Sequence, residues 1–564
     1  MLMFKQQIAA SLAPLLGWEE QRVTAALEIP PDSQLGDLAF PCFPLARELR
    51  KAPPAIAADL AARISLPSVV LEARPIGGYL NFFLSKEQLA EQVLQAVQTE
   101  GIAFGNSAQG TGKNVVIDFS SPNIAKPFGV GHLPTTMIGN SISKLYQALG
   151  YNVIRVNHLG DWGTQFGTLI VAYLNWGEGD PLLEDAVQKL YRLYVRFHQE
   201  EEHNPALRDE ARAWFKRLEE GDAEAHRLWN LFCSTSLRTL QELYQRLGVE
   251  FDHYTGESFY VDQLPAAIER VKAAGITEIS DGALIVPLGD DLPPCLLQKS
   301  DGATLYATRD LAALFYRHDH FQPDRLIYVV AMDQSLHFQQ LKLVLGRMGL
   351  AWSDDVVHIP FGLVRLPEGK MSTRRGQMVL FEDLLQEATQ RIDAIIAEKN
   401  PALPDREQVA NDVAMGAIAF NNLKNSRIKD IIFDWNEMLN FDGETGPYLQ
   451  YTHARAMSVL RKAKSGGSLA ADLAGVTDES SQGVLKLISQ FPEVIQRAAY
   501  AYEPSTVSRF VLDLAQAFNR FYHNCRILGE EPAVEQSRLA LVAATATVLR
   551  RGLQLLGLKA PEQM

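Results

Sequence analysis

The sequence predicts an α/β protein: a doubly wound parallel sheet carrying a helical insertion, preceded by a small α+β domain and followed by an all-α bundle. Three observations carry that prediction. The apolar strand Val115-Val116-Ile117-Asp118-Phe119 runs through a small-residue turn into a helical stretch, Leu133 to Leu149, then Gly150 and a second strand from Asn152; this is a βαβ unit. Short strand-like runs return at Ala283–Val286, at Arg325–Val330 and near Val356–Leu366, with helical patterns between them. After Lys399-Asn400-Pro401-Ala402-Leu403-Pro404 the periodicity is almost purely helical.

Taken in order, residues 1–112 form the α+β domain. Met1 to Gly17 reads as an amphipathic helix rather than a secretory leader, because its apolar part is short and Glu19-Glu20 follow without a small-x-small site. Gly77-Gly78 is a turn, and Tyr79–Leu84 an extended segment after it. Gly105–Gly112 is a linker by composition. Residues 113–400 hold the sheet, with charged helices from about 172 to 250 as the insertion, anchored by Trp214 and Trp229. A helical connection covers 401–444, and the terminal helices cover 445–564 with one loose stretch, Ser465–Ser481.

A length of 564 residues suits three or four domains. Hydrophobic content of 47% and charged content of 21% are those of a globular chain. No run approaches the about 18 apolar residues of a membrane span. The cysteines, Cys42, Cys233, Cys295 and Cys525, are dispersed. That argues against a disulfide framework and a zinc site, and fits a reducing, cytoplasmic setting. A formal charge of −14 argues against non-specific nucleic-acid binding. Residues 445–564 depart from it, with 13 Lys and Arg against 10 Asp and Glu.

Two stretches carry chemistry. Gly129-Val130-Gly131-His132 opens the helix of the βαβ unit. Free backbone N–H groups and the positive dipole end make such a turn an anion site, and His132 adds a donor that can follow developing charge. Glu368-Gly369-Lys370-Met371-Ser372-Thr373-Arg374-Arg375-Gly376 carries three cations in six residues, suited to gripping a polyphosphate. By itself that loop reads more simply as a solvated turn.

In this order, the two stretches resemble the paired signatures of class I aminoacyl-tRNA synthetases. Longer runs narrow the resemblance to the arginyl-tRNA synthetase family: Ser121-Pro122-Asn123-Ile124-Ala125-Lys126-Pro127, Asn157-His158-Leu159-Gly160-Asp161-Trp162-Gly163-Thr164-Gln165-Phe166-Gly167, Leu305-Tyr306-Ala307-Thr308-Arg309-Asp310 and Phe441-Asp442-Gly443-Glu444-Thr445-Gly446-Pro447-Tyr448-Leu449-Gln450-Tyr451. The resemblance spans essentially the whole chain. It implies a Rossmann-like catalytic domain, a tRNA-binding N-terminal domain and an anticodon-binding C-terminal bundle. The implied reaction is ATP-dependent activation of L-arginine to arginyl-adenylate, then transfer to the 3′-terminal ribose of tRNA(Arg).

The implied site follows residue by residue. His132, Lys370 and Lys126 would act on the phosphates. Gly129, Gly131, His132, Lys370, Met371 and Ser372 would bind ATP, with Mg²⁺ accompanying the nucleotide and no dedicated protein metal site. A planar, permanently charged guanidinium calls for carboxylates. Tyr306 and Asp310, four apart in a helical run, share a face. The resemblance places them in the arginine pocket with Ser121, Asn123, Glu257 and Gln334, Asp310 and Glu257 taking the guanidinium. Such a pocket rejects lysine without editing. For tRNA the resemblance implies Tyr448, Arg455, Tyr522 and Met564 at the anticodon, and Asn81 and Phe83 at the elbow. A monomer without a membrane partner is expected, with tRNA required before arginine is activated. One position departs from the family signature: Gly129 stands where a histidine is common, which removes one phosphate contact. Two other classes compete, a tRNA-binding relative that makes no adenylate and a nucleotidyltransferase that needs no tRNA.

Overall fold

Val115, Val116 and Ile117 are buried on both sides because their strand lies at the centre of a five-stranded parallel sheet. The computed structural model describes residues 1–177, 182–290, 292–365, 379–463 and 473–564. The strands of the large sheet are β4 (Asn114–Asp118), β5 (Asn152–Asn157), β6 (His253–Tyr254), β10 (Arg325–Val329) and β11 (Val356–Ile359), in the order β11-β10-β4-β5-β6. Period-two alternation divides their apolar side chains between two cores. Val115, Ile117, Ile327 and Val329 face one, and Val116, Val156, Leu326 and Tyr328 face the other. The chain fills the sheet outward from β4 to β6, then returns to the other side of β4 for β10 and β11. The reversal lies between β4 and β10, and their C-terminal loops flank the crevice where such sheets bind ligands.

The crossover helix Leu133–Ala148 joins β4 to β5 and is buried along nearly its whole length. It packs so closely that a Cβ on Gly139 would stand 2.2 Å from Phe119. Among the described residues the insertion holds four helices, Thr164–Trp176, Ala186–His203, Ala206–Glu219 and Ala223–Leu247. One strand falls elsewhere than the sequence suggested. Ala283–Val286 (β8) belongs not to the parallel sheet but to a separate antiparallel one with β7 (Glu278–Ser280) and β9 (Cys295–Gln298). Asp281-Gly282 explains it: both have positive φ, 49° and 77°, so the pair closes a tight hairpin.

The N-terminal sheet is antiparallel, ordered β1 (Leu38–Pro41), β3 (Tyr79–Leu84), β2 (Val70–Ile76), with Gly77 in the turn at φ 58°. Helix Leu2–Leu16 buries Phe4, Ile8 and Leu12. The glycine-rich stretch 105–112 is a packed connection: Tyr500 donates to Gln109 at 2.8 Å and Arg551 to Asn106 at 2.7 Å. Two short parallel strands, β12 (Val364–Arg365) and β13 (Ile431–Ile432), tie residues beyond 401 back to the sheet domain. The terminal helices are Gly446–Lys462, Glu479–Tyr500, Ser505–Asn524 and Pro532–Leu555. Among the described residues no helix is long and apolar enough to cross a membrane.

Candidate active site

The loop leaving β4 is bent into an uncommon shape. Ser120, Ser121 and Ala125 all have positive φ, at 73°, 48° and 60°. Such residues cost of order 1–3 kcal/mol each and persist where their surroundings over-determine them. Here the Ser120 N–H donates to Thr135 Oγ1 at 3.0 Å, the Ser121 N–H to Asn157 Oδ1 at 3.2 Å and the Ala125 N–H to Ser236 Oγ at 3.1 Å. Ser121 Oγ donates to Asp118 Oδ1 at 2.9 Å. Asp118 is in turn held by Arg317 at 2.7 Å, and both side chains are buried.

The turn that follows spends several of its donors on itself. The Gly129 N–H donates to His132 Nδ1 at 3.2 Å, so a neutral His132 carries its proton on Nε2. Burial lowers the His132 pKa; the Gly129 hydrogen bond opposes this and neighbouring Lys126 adds to it. The Val130 N–H goes to the Val379 carbonyl at 3.1 Å, and the Phe381 N–H to the Phe128 carbonyl at 3.1 Å. The free N–H groups expected here are thus partly used, at Gly129 and Val130, while Gly131 is exposed. Lys126 sits with its ammonium 5.4 Å from the centre of the Tyr194 ring, against the insertion. Lys370, Met371 and Ser372 lie outside the described residues.

The acidic side is built from the loops after β5, β6 and β10 and from the helix Tyr306–Phe321. Asn123 is exposed and bridges to Gly160, where a Cβ would meet Asn123 Oδ1 at 2.2 Å. Gly256 is needed for the same kind of reason, since a Cβ there would stand 2.5 Å from the Asp161 carboxylate. That carboxylate accepts the Ser258 N–H at 2.8 Å and Ser258 Oγ at 2.6 Å. Next to it, Glu257 Oε2 accepts Arg309 Nη1 at 3.1 Å. Burial pushes the Glu257 pKa up to about 7; Arg309 pulls it down, and Asp161 and Asp310 push it up. Asp310 Oδ2 pairs with His337 Nε2 at 2.5 Å. Tyr306, the first residue of its helix, is 71% exposed, and Gln334 is exposed one turn before His337.

A second concavity lies in the terminal helices, a cavity of about 710 Å³ lined by Tyr451, Arg455, Lys462, Tyr522, Arg526 and Met564 among others. Arg455 donates to Asn519 at 2.6 Å, and its guanidinium lies 4.9 Å from the Tyr451 ring centre and 5.5 Å from that of Tyr522. Tyr448 is half-buried, its hydroxyl accepting from Asn519 at 2.9 Å. In the N-terminal domain Asn81 is 3% exposed, in the central strand of the sheet. Phe83 is half-buried under Arg74, 4.5 Å from its ring centre. Among the described residues no group of three His, Cys, Asp or Glu could hold a metal ion.

Three family models match the chain. The model of the class I tRNA synthetase (R) catalytic domain covers residues 92–435, the arginyl-tRNA synthetase N-terminal domain 3–84, and the DALR anticodon-binding domain 449–564. The arginine–tRNA ligase of Alkaliphilus metalliredigens is 48% identical over all of both chains, and that of Latilactobacillus sakei 49% identical, again over all of both. The chain belongs to the arginyl-tRNA synthetase family. The solved Thermus thermophilus arginyl-tRNA synthetase matches with a TM-score of 0.85 at 29% identity, covering 100% of this chain and 99% of that one.

Within this synthetase scaffold, the fold gathers Ser121, Asn123, Glu257, Asp310 and Gln334 from loops and a helix at the C-terminal edge of the sheet. Residue-level reading passed over Asp161, Arg309 and His337. Each had a signal: Asp161 and Arg309 stand inside the quoted motifs, and His337 follows Gln334 by three positions. It also passed over Arg317, two helical turns beyond Asp310 in an unremarked stretch.

Proposed function

We infer that this chain is an arginine–tRNA ligase. The observation that supports this most directly is the pair of interacting carboxylates, Glu257 and Asp310, at the ligand edge of the parallel sheet. In the first step a carboxylate oxygen of L-arginine attacks the α-phosphorus of ATP. The bond to the β-phosphate breaks, and pyrophosphate leaves with the electron pair. In the second step a hydroxyl of the tRNA 3′-terminal ribose attacks the arginyl carbonyl, and AMP leaves. Little covalent work falls to the protein, so positioning and charge stabilisation dominate.

On this reading Glu257 and Asp310 take the guanidinium, Tyr306 covers it, and Ser121, Asn123 and Gln334 serve the amino-acid backbone end. A lysine would leave the carboxylate geometry unfilled. His132, neutral and protonated on Nε2, donates to the phosphate as charge shifts onto it. Lys126, Lys370, Met371 and Ser372, with Gly129 and Gly131, complete the ATP side. Mg²⁺ would accompany ATP and offset the charge of its phosphates, with no protein residue assigned to hold it. Residues 113–400 would perform the chemistry. Residues 445–564 would bind the anticodon in the cavity around Arg455, Tyr522 and Met564, with Tyr448 beside it and 401–444 as the connection. Residues 1–112 would hold the tRNA elbow through Phe83, and through Asn81 only if its covered amide is uncovered. The ligase acts as a monomer in the cytoplasm.

The test is ATP–pyrophosphate exchange with each of the twenty amino acids, with and without tRNA. Exchange with arginine alone, requiring tRNA, is expected. Exchange with another amino acid, or none under any condition, would overturn the reading.

A further inference from the structure

The two pocket carboxylates are each tied by one oxygen only. Glu257 Oε2 accepts a single bond from Arg309 Nη1 at 3.1 Å, and Asp310 Oδ2 a single bond from His337 Nε2 at 2.5 Å. Glu257 Oε1 and Asp310 Oδ1 have no hydrogen-bond partner among the described residues. A guanidinium meeting a carboxylate normally closes a two-bond fork. Arg309 does not, although its side chain is only 21% exposed, and its Nε is buried without a partner. The geometry therefore leaves half of each carboxylate uncommitted, and leaves donors of Arg309 unused in a place where an unused donor is costly.

We propose that Arg309 and His337 are positioning residues of the arginine pocket, each gripping one oxygen of a pocket carboxylate so that the other stays open for the incoming guanidinium. The proposal rests on the reading that Glu257 and Asp310 bind arginine. A free glutamate has several rotamers, and fixing it costs entropy that the ligand would otherwise bear. A two-bond internal fork would fix it equally well but would fill the site with the chain's own cation. A one-bond tether fixes the carboxylate and keeps an acceptor for the substrate. Arg309 has a second effect, since Glu257 lies among acidic groups, Asp161 and Asp310, that oppose its ionisation. The guanidinium offsets them and favours the charged form that a cationic substrate needs. Glu219 also lies within electrostatic reach of Arg309. Glu219 and Arg309 both line a 460 Å³ cavity with Trp162, Gln298 and Thr304.

Steady-state aminoacylation separates this role from a general structural one. The full-length chain is measured with Arg309→Met, Arg309→Lys, His337→Leu and His337→Gln. Arg309→Met and His337→Leu are expected to raise the KM for arginine about 10- to 100-fold, the size of one charge-assisted hydrogen bond. The KM for ATP should stay in place and kcat change little. The donors restored in Arg309→Lys and His337→Gln should recover most of the loss. An unchanged KM for arginine would overturn the proposal. So would a lower one, which would make Arg309 an internal competitor, or an equal rise in the KM for ATP. A wild-type chain without arginine-dependent exchange would sink the ligase reading and this proposal together; a normal wild type with unaffected variants would sink only the proposal.

Discussion

On the proposed reading, the arginine side and the phosphate side of the crevice are built on opposite principles. On the arginine side, carboxyl groups are held in place: Asp161 by Ser258, Glu257 by Arg309 and Asp310 by His337. On the phosphate side, the described donors turn inward. The Gly129 N–H is spent on His132 and the Val130 N–H on Val379, and Lys126 rests against Tyr194. A permanently charged guanidinium has the same charge before and after reaction, so a fixed, oppositely charged receptor suits it. The α-phosphate gains and redistributes charge, so donors there are useful mainly in the transition state. On that reading, arginine recognition lies in the resting fold, whereas phosphate stabilisation draws on donors that act mainly in the transition state.

That contrast is breakable. The largest effect is expected from Arg317→Leu, which leaves Asp118 buried without its cation beneath Ser121. Losing one partner of a buried pair costs about 3–5 kcal/mol, so thermal or urea unfolding should shift strongly. A shift no larger than that of a surface substitution would mean that the strained 120–125 loop is held by its hydrogen bonds alone. Next, Asp310→Asn keeps the shape but removes a pocket charge. The kcat/KM for arginine should fall about 30- to 4000-fold, as for a truncated charge pair, with ATP binding retained. Third, His132→Asn removes the imidazole donor, and kcat should fall about 10²- to 10³-fold while the KM for arginine holds. If Asp310→Asn weakened ATP binding, or His132→Asn weakened arginine binding, the two sides would not be separate devices.

Much of this division was legible in the sequence, for reasons that differ by element. The βαβ unit was visible because β4 is buried on both faces and its apolar run is unbroken. The helix carrying Tyr306 and Asp310 was visible because spacing of four is a local property. The antiparallel hairpin at Ala283–Val286 was misplaced in the parallel sheet although Asp281-Gly282 marks it, because a short apolar run gives no pairing partner. Ion pairs such as Glu257–Arg309 and Asp118–Arg317 join residues 52 and 199 positions apart, and only the fold brings such charges together. The use of the Gly129 N–H by His132 was hidden too, since it depends on where one side chain turns back. Asn81 was offered for the tRNA elbow from its place in the N-terminal domain alone, and its burial in the central strand between β1 and β2 was not visible there.

The smallest and sharpest effect concerns pH. Burial, the largest influence, raises the Glu257 pKa to about 7 in the free pocket, even with Arg309 opposing it. Below pH 7 the carboxyl is protonated and must lose its proton to take a guanidinium, so each arginine bound releases a proton. The kcat/KM for arginine should therefore be level above pH 7 and fall below it, approaching about tenfold per unit. The sign for stability is opposite. A carboxyl whose folded pKa lies above its unfolded value contributes stability at acid pH and loses it as pH rises through about 7. Burial moves the His132 pKa down, away from the Glu257 step. Glu257→Gln should thus lower kcat/KM and abolish the step at once. A step that survives in Glu257→Gln would belong to another group, and the arginine side would then share its titration with the rest of the crevice instead of owning it.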